Sequence, residues 1–166
     1  MLYFAYGSNM STPRLRYRVK SANPLGVAQL EGFMLRWHKK SKDGSGKCNA
    51  FPADGKTLIG VVFEFDAKEQ RSLDEAEGLG FGYSERKIDV RLAGRPTSVF
   101  VFLADTRYID DSLLPYTWYK DFVVSGAKEH RLPSEYTAAI EAQAAGIDPN
   151  PSREKHERAK VMSTEA

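Results

Sequence analysis

Residues 58–65 read Leu-Ile-Gly-Val-Val-Phe-Glu-Phe, the clearest strand signal in the chain. The run is too short for a helix of average length and is rich in β-branched and aromatic residues, so it reads as a buried strand. Asp66 follows as a helix N-cap, and Glu69 three residues on completes a variant of the capping-box pattern. The helix started there is expected to end at Gly78, a residue suited to the left-handed C-terminal position. Beyond it, Tyr83–Leu92 and Ser98–Leu103 form a plausible hairpin through Gly94-Arg95.

Toward the N-terminus, Leu2–Tyr6 is a short apolar and aromatic strand that stops at the loop formers Gly7-Ser8-Asn9. Thr12-Pro13 reads as an N-cap followed by proline at the first helical position of a helix running through Tyr17, and Asn23-Pro24 closes that region. Gly26–Glu31 and Phe33–Trp37 read as two strands, Lys39–Lys47 as a polar loop, and Cys48–Phe51 as a strand ended by the turn residues 52–55. Ser112–Ser125, followed by Gly126, and Pro133–Ala145 read as helices. Strands dominate the middle and helices the end, without regular alternation. That order predicts an α+β fold with a mixed or antiparallel sheet.

The 166 residues fit one domain, and the composition of 24 basic against 22 acidic side chains excludes a histone-like or strongly acidic chain. One cysteine, Cys48, excludes a disulfide scaffold and an all-cysteine zinc site. No apolar run is long enough to cross a bilayer, and MLYFAYGSNM lacks the basic start of a signal peptide. A soluble, cytoplasmic protein is expected. Residues 1–47 carry nine basic side chains against Glu31 and Asp43. That skew suits anionic ligands, although Lys39, Lys40, Lys42 and Lys47 read as solvated residues of an exposed loop.

Common site motifs are missing. Gly78, Gly80 and Gly82 do not have dinucleotide-loop spacing and follow a helix, and His38, His130 and His156 lack metal-ligand spacing. Two features remain. The loop Tyr6-Gly7-Ser8-Asn9 lies between a strand and a helix, where successive amides can make an anion nest, though ordinary turns share that composition. Glu77 lies four residues after Leu73, on the apolar face of its helix and beside glycines. Asp74 and Glu75 are expected to be solvated. Glu77 is either an ordinary last-turn glutamate or a desolvated carboxylate suited to general-base work. Its place at a helix C-terminus opposes the macrodipole.

Three blocks, Tyr3-Phe4-Ala5-Tyr6-Gly7-Ser8-Asn9, Ser72-Leu73-Asp74-Glu75-Ala76-Glu77-Gly78, and Gly126–Glu129 with Leu132–Tyr136, occur in an order and spacing that resemble γ-glutamylcyclotransferases. The resemblance spans about residues 2–140, and the YGSN loop is similar to the branch acting on γ-glutamyl-amino acids. It implies a small mixed β-barrel with flanking helices over residues 1–148, often dimeric, leaving 149–166 as a charged tail, helical or disordered. It also implies conversion of a γ-glutamyl-amino acid to 5-oxoproline and a free amino acid, as in glutathione metabolism. Tyr3, Phe4, Ala5, Tyr6, Gly7, Ser8 and Asn9 would then form the substrate-binding strand end and loop. Glu77 would accept the proton, with Tyr83 and Tyr119 as pocket tyrosines. The sequence departs from animal members at Phe102, where those carry a tyrosine, and in a shorter segment between Glu77 and Tyr83. The expected partner is a small γ-glutamyl molecule, with no cofactor, metal, nucleic acid or membrane. Other γ-glutamyl amides as substrates, or a non-catalytic module binding anions or nucleic acid, are the alternatives.

Overall fold

The computed structural model describes residues 1–80 and 82–162. Five strands, β1 (Leu2–Ala5), β2 (Asn23–Lys40), β3 (Gly46–Glu64), β4 (Tyr83–Leu92) and β5 (Arg95–Ala104), close into a barrel in the order β1-β3-β2-β4-β5. The β1–β5 pairing, Tyr3 opposite Phe100, is parallel; the others are antiparallel. Around the barrel lie α1 (Thr12–Arg18), α2 (Gln70–Glu77), α3 (Thr117–Glu129), α4 (Ser134–Glu141) and α5 (Pro151–Met162). The mixed barrel with flanking helices expected from the resemblance is present. No helix among the described residues is long and apolar enough to cross a membrane.

Residues 58–65 form the end of β3, with Leu58, Val61, Val62 and Phe63 fully buried against Phe4, Val99 and Val101. Burying each such side chain contributes about 1.5–3 kcal/mol. The hairpin β4–β5 forms as expected, turning at Ala93-Gly94.

The long strands differ from the sequence reading. Gly26–Glu31 and Phe33–Trp37 are parts of one strand, β2, and Cys48–Phe51 is continuous with residues 58–64 in β3. The turn residues at 52–55 do not end a strand. Glu31 pairs with Thr57 and Phe33 with Pro52, so residues 53–56 bulge out opposite Gly32. Proline and glycine are tolerated at such a bulge because the ladder is already interrupted there. A second irregularity lies between Arg36, opposite Asn49, and Lys39, opposite Lys47. It breaks the in–out alternation, and Trp37, His38 and Lys39 are buried in succession.

Helix ends are also corrected. Ser11, not Thr12, is the N-cap of α1, and Pro13 is its second residue. Helix α3 starts after Pro115 and runs through Gly126, while α4 stops at Glu141. Asp66 caps its turn by accepting from Lys68 N–H, and Gly78 ends α2 at φ +66°. Glu69 does not reach back to Asp66. It accepts from the Lys20 and Ser21 amides at 2.9 and 3.0 Å, tying the end of α1 to the start of α2.

Candidate active site

β1 ends at Ala5, and Ser8–Met10 make a single 3-10 turn before α1. Two features fix this loop. Gly7 approaches β3 so closely that a Cβ there would lie 2.9 Å from Cys48 Cβ, and one on Gly126 of α3 would lie 2.5 Å from the backbone of Met10 and Ser11. Both glycines are therefore packing requirements. Arg14 Nε donates to Ser8 Oγ at 3.2 Å, and its guanidinium lies over the Phe122 ring at 4.5 Å. Burial lowers the Arg14 pKa to about 10, and neighbouring Arg18 adds to that effect.

The loop, α2 and the facing strands border a partly open cavity of about 30 Å3 lined by Tyr3, Tyr6, Gly7, Ser8, Asn9, Cys48, Glu77, Tyr83, Phe102 and Tyr119. Eight of the ten expected site residues meet here. Phe4 and Ala5 do not: both are fully buried within the barrel wall. Gly60 leaves room for Phe4, whose ring would lie 2.8 Å from a Cβ at that position. A larger cavity of about 380 Å3, lined by Met34, Arg36, Asp111 and Leu114 among others, holds none of the expected residues.

Glu77 sits at the end of α2, one turn after the fully buried Leu73, as the helical spacing predicts. It is not the lone acid expected from the sequence. Asn9 Nδ2 donates to its Oε1 at 2.9 Å, and Arg18 Nη1 donates to the same oxygen at 2.5 Å. Arg18 also donates to Asn9 Oδ1 at 2.7 Å, and Asn9 Nδ2 reaches Tyr3 OH at 3.0 Å. Asn9 thus joins loop, strand, α1 and α2. Among the described residues, no side chain or amide donates to Glu77 Oε2. Glu75 is solvated and pairs with Arg71, but Asp74 is not: its Oδ1 is sealed from solvent without a partner, and burial raises its pKa.

The tyrosines are anchored to backbone. Tyr83 OH donates to Cys48 O at 2.6 Å, Tyr6 OH donates to Phe102 O, and Tyr119 OH accepts from Cys48 N–H at 3.1 Å. Burial raises the pKa of all three well above the usual phenol range. It also pushes the Cys48 thiol up to about 12, so this cysteine is a poor nucleophile.

Sequence reasoning missed Arg18, Arg14 and Cys48 as parts of the site. The basic skew of residues 1–47 was the available signal for the arginines. Part of that charge is buried and paired, Arg14 with Glu157, Arg18 with Glu77 and Lys47 with Asp43, while Arg16, Lys20, Lys40 and Lys42 are exposed. Lys39 and Lys47 are not loop residues in solvent, since Lys39 is buried and the Lys47 ammonium lies 4.5 Å over both the Trp118 and Tyr119 rings. His38 is buried as well, bonded to Asp111 at 2.7 Å and Asn49 at 3.0 Å.

The AIG2-like family model matches residues 57–140, from the second half of β3 to the end of α4. Mouse and human γ-glutamylcyclotransferases are each 35% identical to this chain, over 163 and 157 residues, covering 90% of it and 79% of either relative. A solved γ-glutamyl cyclotransferase superposes with a TM-score of 0.84 at 28% identity, over 96% of this chain and 98% of that one. The chain belongs to the γ-glutamylcyclotransferase family and is an enzyme of that type.

Proposed function

We propose that the enzyme cyclises γ-glutamyl-amino acids, releasing 5-oxoproline and the free amino acid, with Glu77 carrying the proton. The observation that supports this most is the hold on Glu77. Asn9 and Arg18 both bind Oε1, which fixes the carboxylate beside the Tyr6–Asn9 loop and leaves Oε2 to the substrate.

The substrate's own α-amine is the nucleophile. It attacks the γ-carbonyl carbon, the new C–N bond closes a five-membered ring, and the original amide C–N bond breaks. Proximity is built into the substrate, so no protein nucleophile is required. An α-amine with an ordinary pKa of about 7.7–8.0 is largely protonated at neutral pH, so a base must take its proton. Glu77 Oε2 accepts that proton and returns it to the departing amine. Negative charge grows on the carbonyl oxygen as the ring closes. The amides of Gly7, Ser8 and Asn9 precede the first internal bond of their turn, Met10 N–H to Gly7 O, and serve as its donors. One such donor is worth roughly 3–4 kcal/mol in a preorganised site. Tyr3, Tyr6, Tyr83 and Tyr119 form the walls that hold the glutamyl chain.

Purified protein incubated with γ-glutamyl-alanine tests the reading. Equimolar 5-oxoproline and alanine are expected; no release from any γ-glutamyl compound would overturn it.

A further inference from the structure

Among the described residues, no carboxylate lies within ion-pair distance of Lys39. The irregularity in β2 turns it inward, and its residue is only 8% exposed. The other buried or half-buried cations of the N-terminal segment each have a carboxylate: Arg14 has Glu157, Arg18 has Glu77, and Lys47 has Asp43. Among the described residues, Lys39 Nζ has neither an ion pair nor a hydrogen bond. It lies 4.6 Å above the ring of Tyr83. The approach also needs Gly82, where a Cβ would fall 2.6 Å from Lys39 Cε and 2.8 Å from Nζ. Burial disfavours the charged form, while the more distant Glu77 and Asp43 favour it. A buried charge without a partner is costly, and a bulge that re-aims it inward adds to that cost. Packing alone does not account for a lysine here, since an apolar chain of similar length would fill the same space.

Its position suggests what it meets. Tyr83 is a wall of the active-site cavity, and Lys39 lies on that tyrosine's ring. The cavity is small, about 30 Å3, and partly open to solvent. The released portion must therefore extend across the rim.

We infer that Lys39 is a specificity residue whose ammonium receives the α-carboxylate of the amino acid being released. The inference rests on the cyclotransferase reading and assigns a residue to the recognition of the carboxylate that every γ-glutamyl-amino acid carries on its leaving amine. The contact is remote from the reacting carbon, so it stabilises ground and transition states alike and acts mainly through KM.

The test compares γ-glutamyl-alanine with γ-glutamyl-ethylamide, which differ in the leaving-group carboxylate alone. The wild-type enzyme is expected to favour the alanine compound by about 10- to 100-fold in kcat/KM, the range for a charge-assisted hydrogen bond. Lys39→Met should collapse that ratio to within about threefold, with most of the change in KM, whereas Lys39→Arg should retain most of it. A wild-type enzyme indifferent to the carboxylate overturns the inference without needing any variant to fold. So does a Lys39→Met enzyme that keeps the preference. Turnover of neither compound, nor of any other γ-glutamyl amide, would instead overturn the cyclotransferase reading and this inference with it.

Discussion

Arg18 and Glu77 lie 59 residues apart in sequence and 2.5 Å apart in space, joining the last turn of α1 to the last residue of α2. The pair is mostly shielded, with side chains 18% and 16% exposed, and Asn9 bonds to both partners. A glutamate at a helix C-terminus is otherwise unfavourable, because it faces the negative end of the macrodipole. Arg18 offsets that cost. It also orients the carboxylate that the proposed reaction uses.

Arg18 is therefore expected to act as a positioning residue. Arg18→Met should lower kcat by about 10²-fold through misplacement of Glu77. Arg18→Lys, which keeps the charge but not the forked geometry, should recover part of the loss. Steady-state kinetics on γ-glutamyl-alanine decide the matter, and a Met variant with wild-type kcat would remove Arg18 from the account.

Gly7 is expected to tolerate no side chain. Gly7→Ala places a methyl group 2.9 Å from Cys48 Cβ and 3.3 Å from Tyr119 OH, so the loop must shift. A drop in kcat/KM of about 10²-fold is expected for a displaced donor loop. Full activity in this variant would show that the loop's placement is not critical.

How far the sequence carried this site depends on the range of each interaction. Leu73 and Glu77 sharing a face, the Gly78 cap and the loop at the end of β1 are local features, and helical spacing or turn chemistry made them legible. The β2 and β3 irregularities were not legible. Pro52-Ala-Asp-Gly55 is ordinary turn chemistry, and only pairing with β2 makes it a bulge inside a 19-residue strand. Lys39 was misplaced for the same reason: its burial follows from register, which is a tertiary property. The Arg18 partner and the carbonyl acceptors of Tyr6 and Tyr83 lie between 35 and 96 residues away, beyond any spacing rule.

Tyr83 now carries a structural expectation beside its place in the pocket. Its hydroxyl donates to Cys48 O, a buried carbonyl. Tyr83→Phe should cost about 1–3 kcal/mol of stability, because that acceptor loses its partner. Urea denaturation measures the loss. An unchanged midpoint would mean that another donor takes over.

Asp148 anchors α5 and α3, accepting from Arg153 at 2.8 Å and from Trp118 Nε1 at 2.8 Å. The Arg153 guanidinium, with the Asn150 amide and the Trp118 indole, holds its carboxyl well below the usual carboxylate range, although burial opposes this. A depressed carboxylate stabilises the fold above its unfolded pKa of about 3.9, and that stability is lost as pH falls toward the folded value. Asp148→Asn should therefore lower Tm at pH 7, and the gap from wild type should narrow below about pH 4. A gap that stays constant from pH 7 to pH 3 would contradict the assignment.

The most direct test of the central claim is turnover of γ-glutamyl-alanine by Glu77→Gln, followed as 5-oxoproline release. Glutamine keeps the size of the side chain and can still accept from Asn9 and Arg18, but it cannot take a proton. kcat is expected to fall by about 10²- to 10⁴-fold, the usual worth of general acid–base catalysis, and the thermal midpoint to fall as well, because Arg18 loses its ion-pair partner. Glu75→Gln, on the solvated side of the same helix, serves as the control and should retain activity. A folded Glu77→Gln enzyme with near-normal kcat would contradict both the mechanism and the assignment of its base.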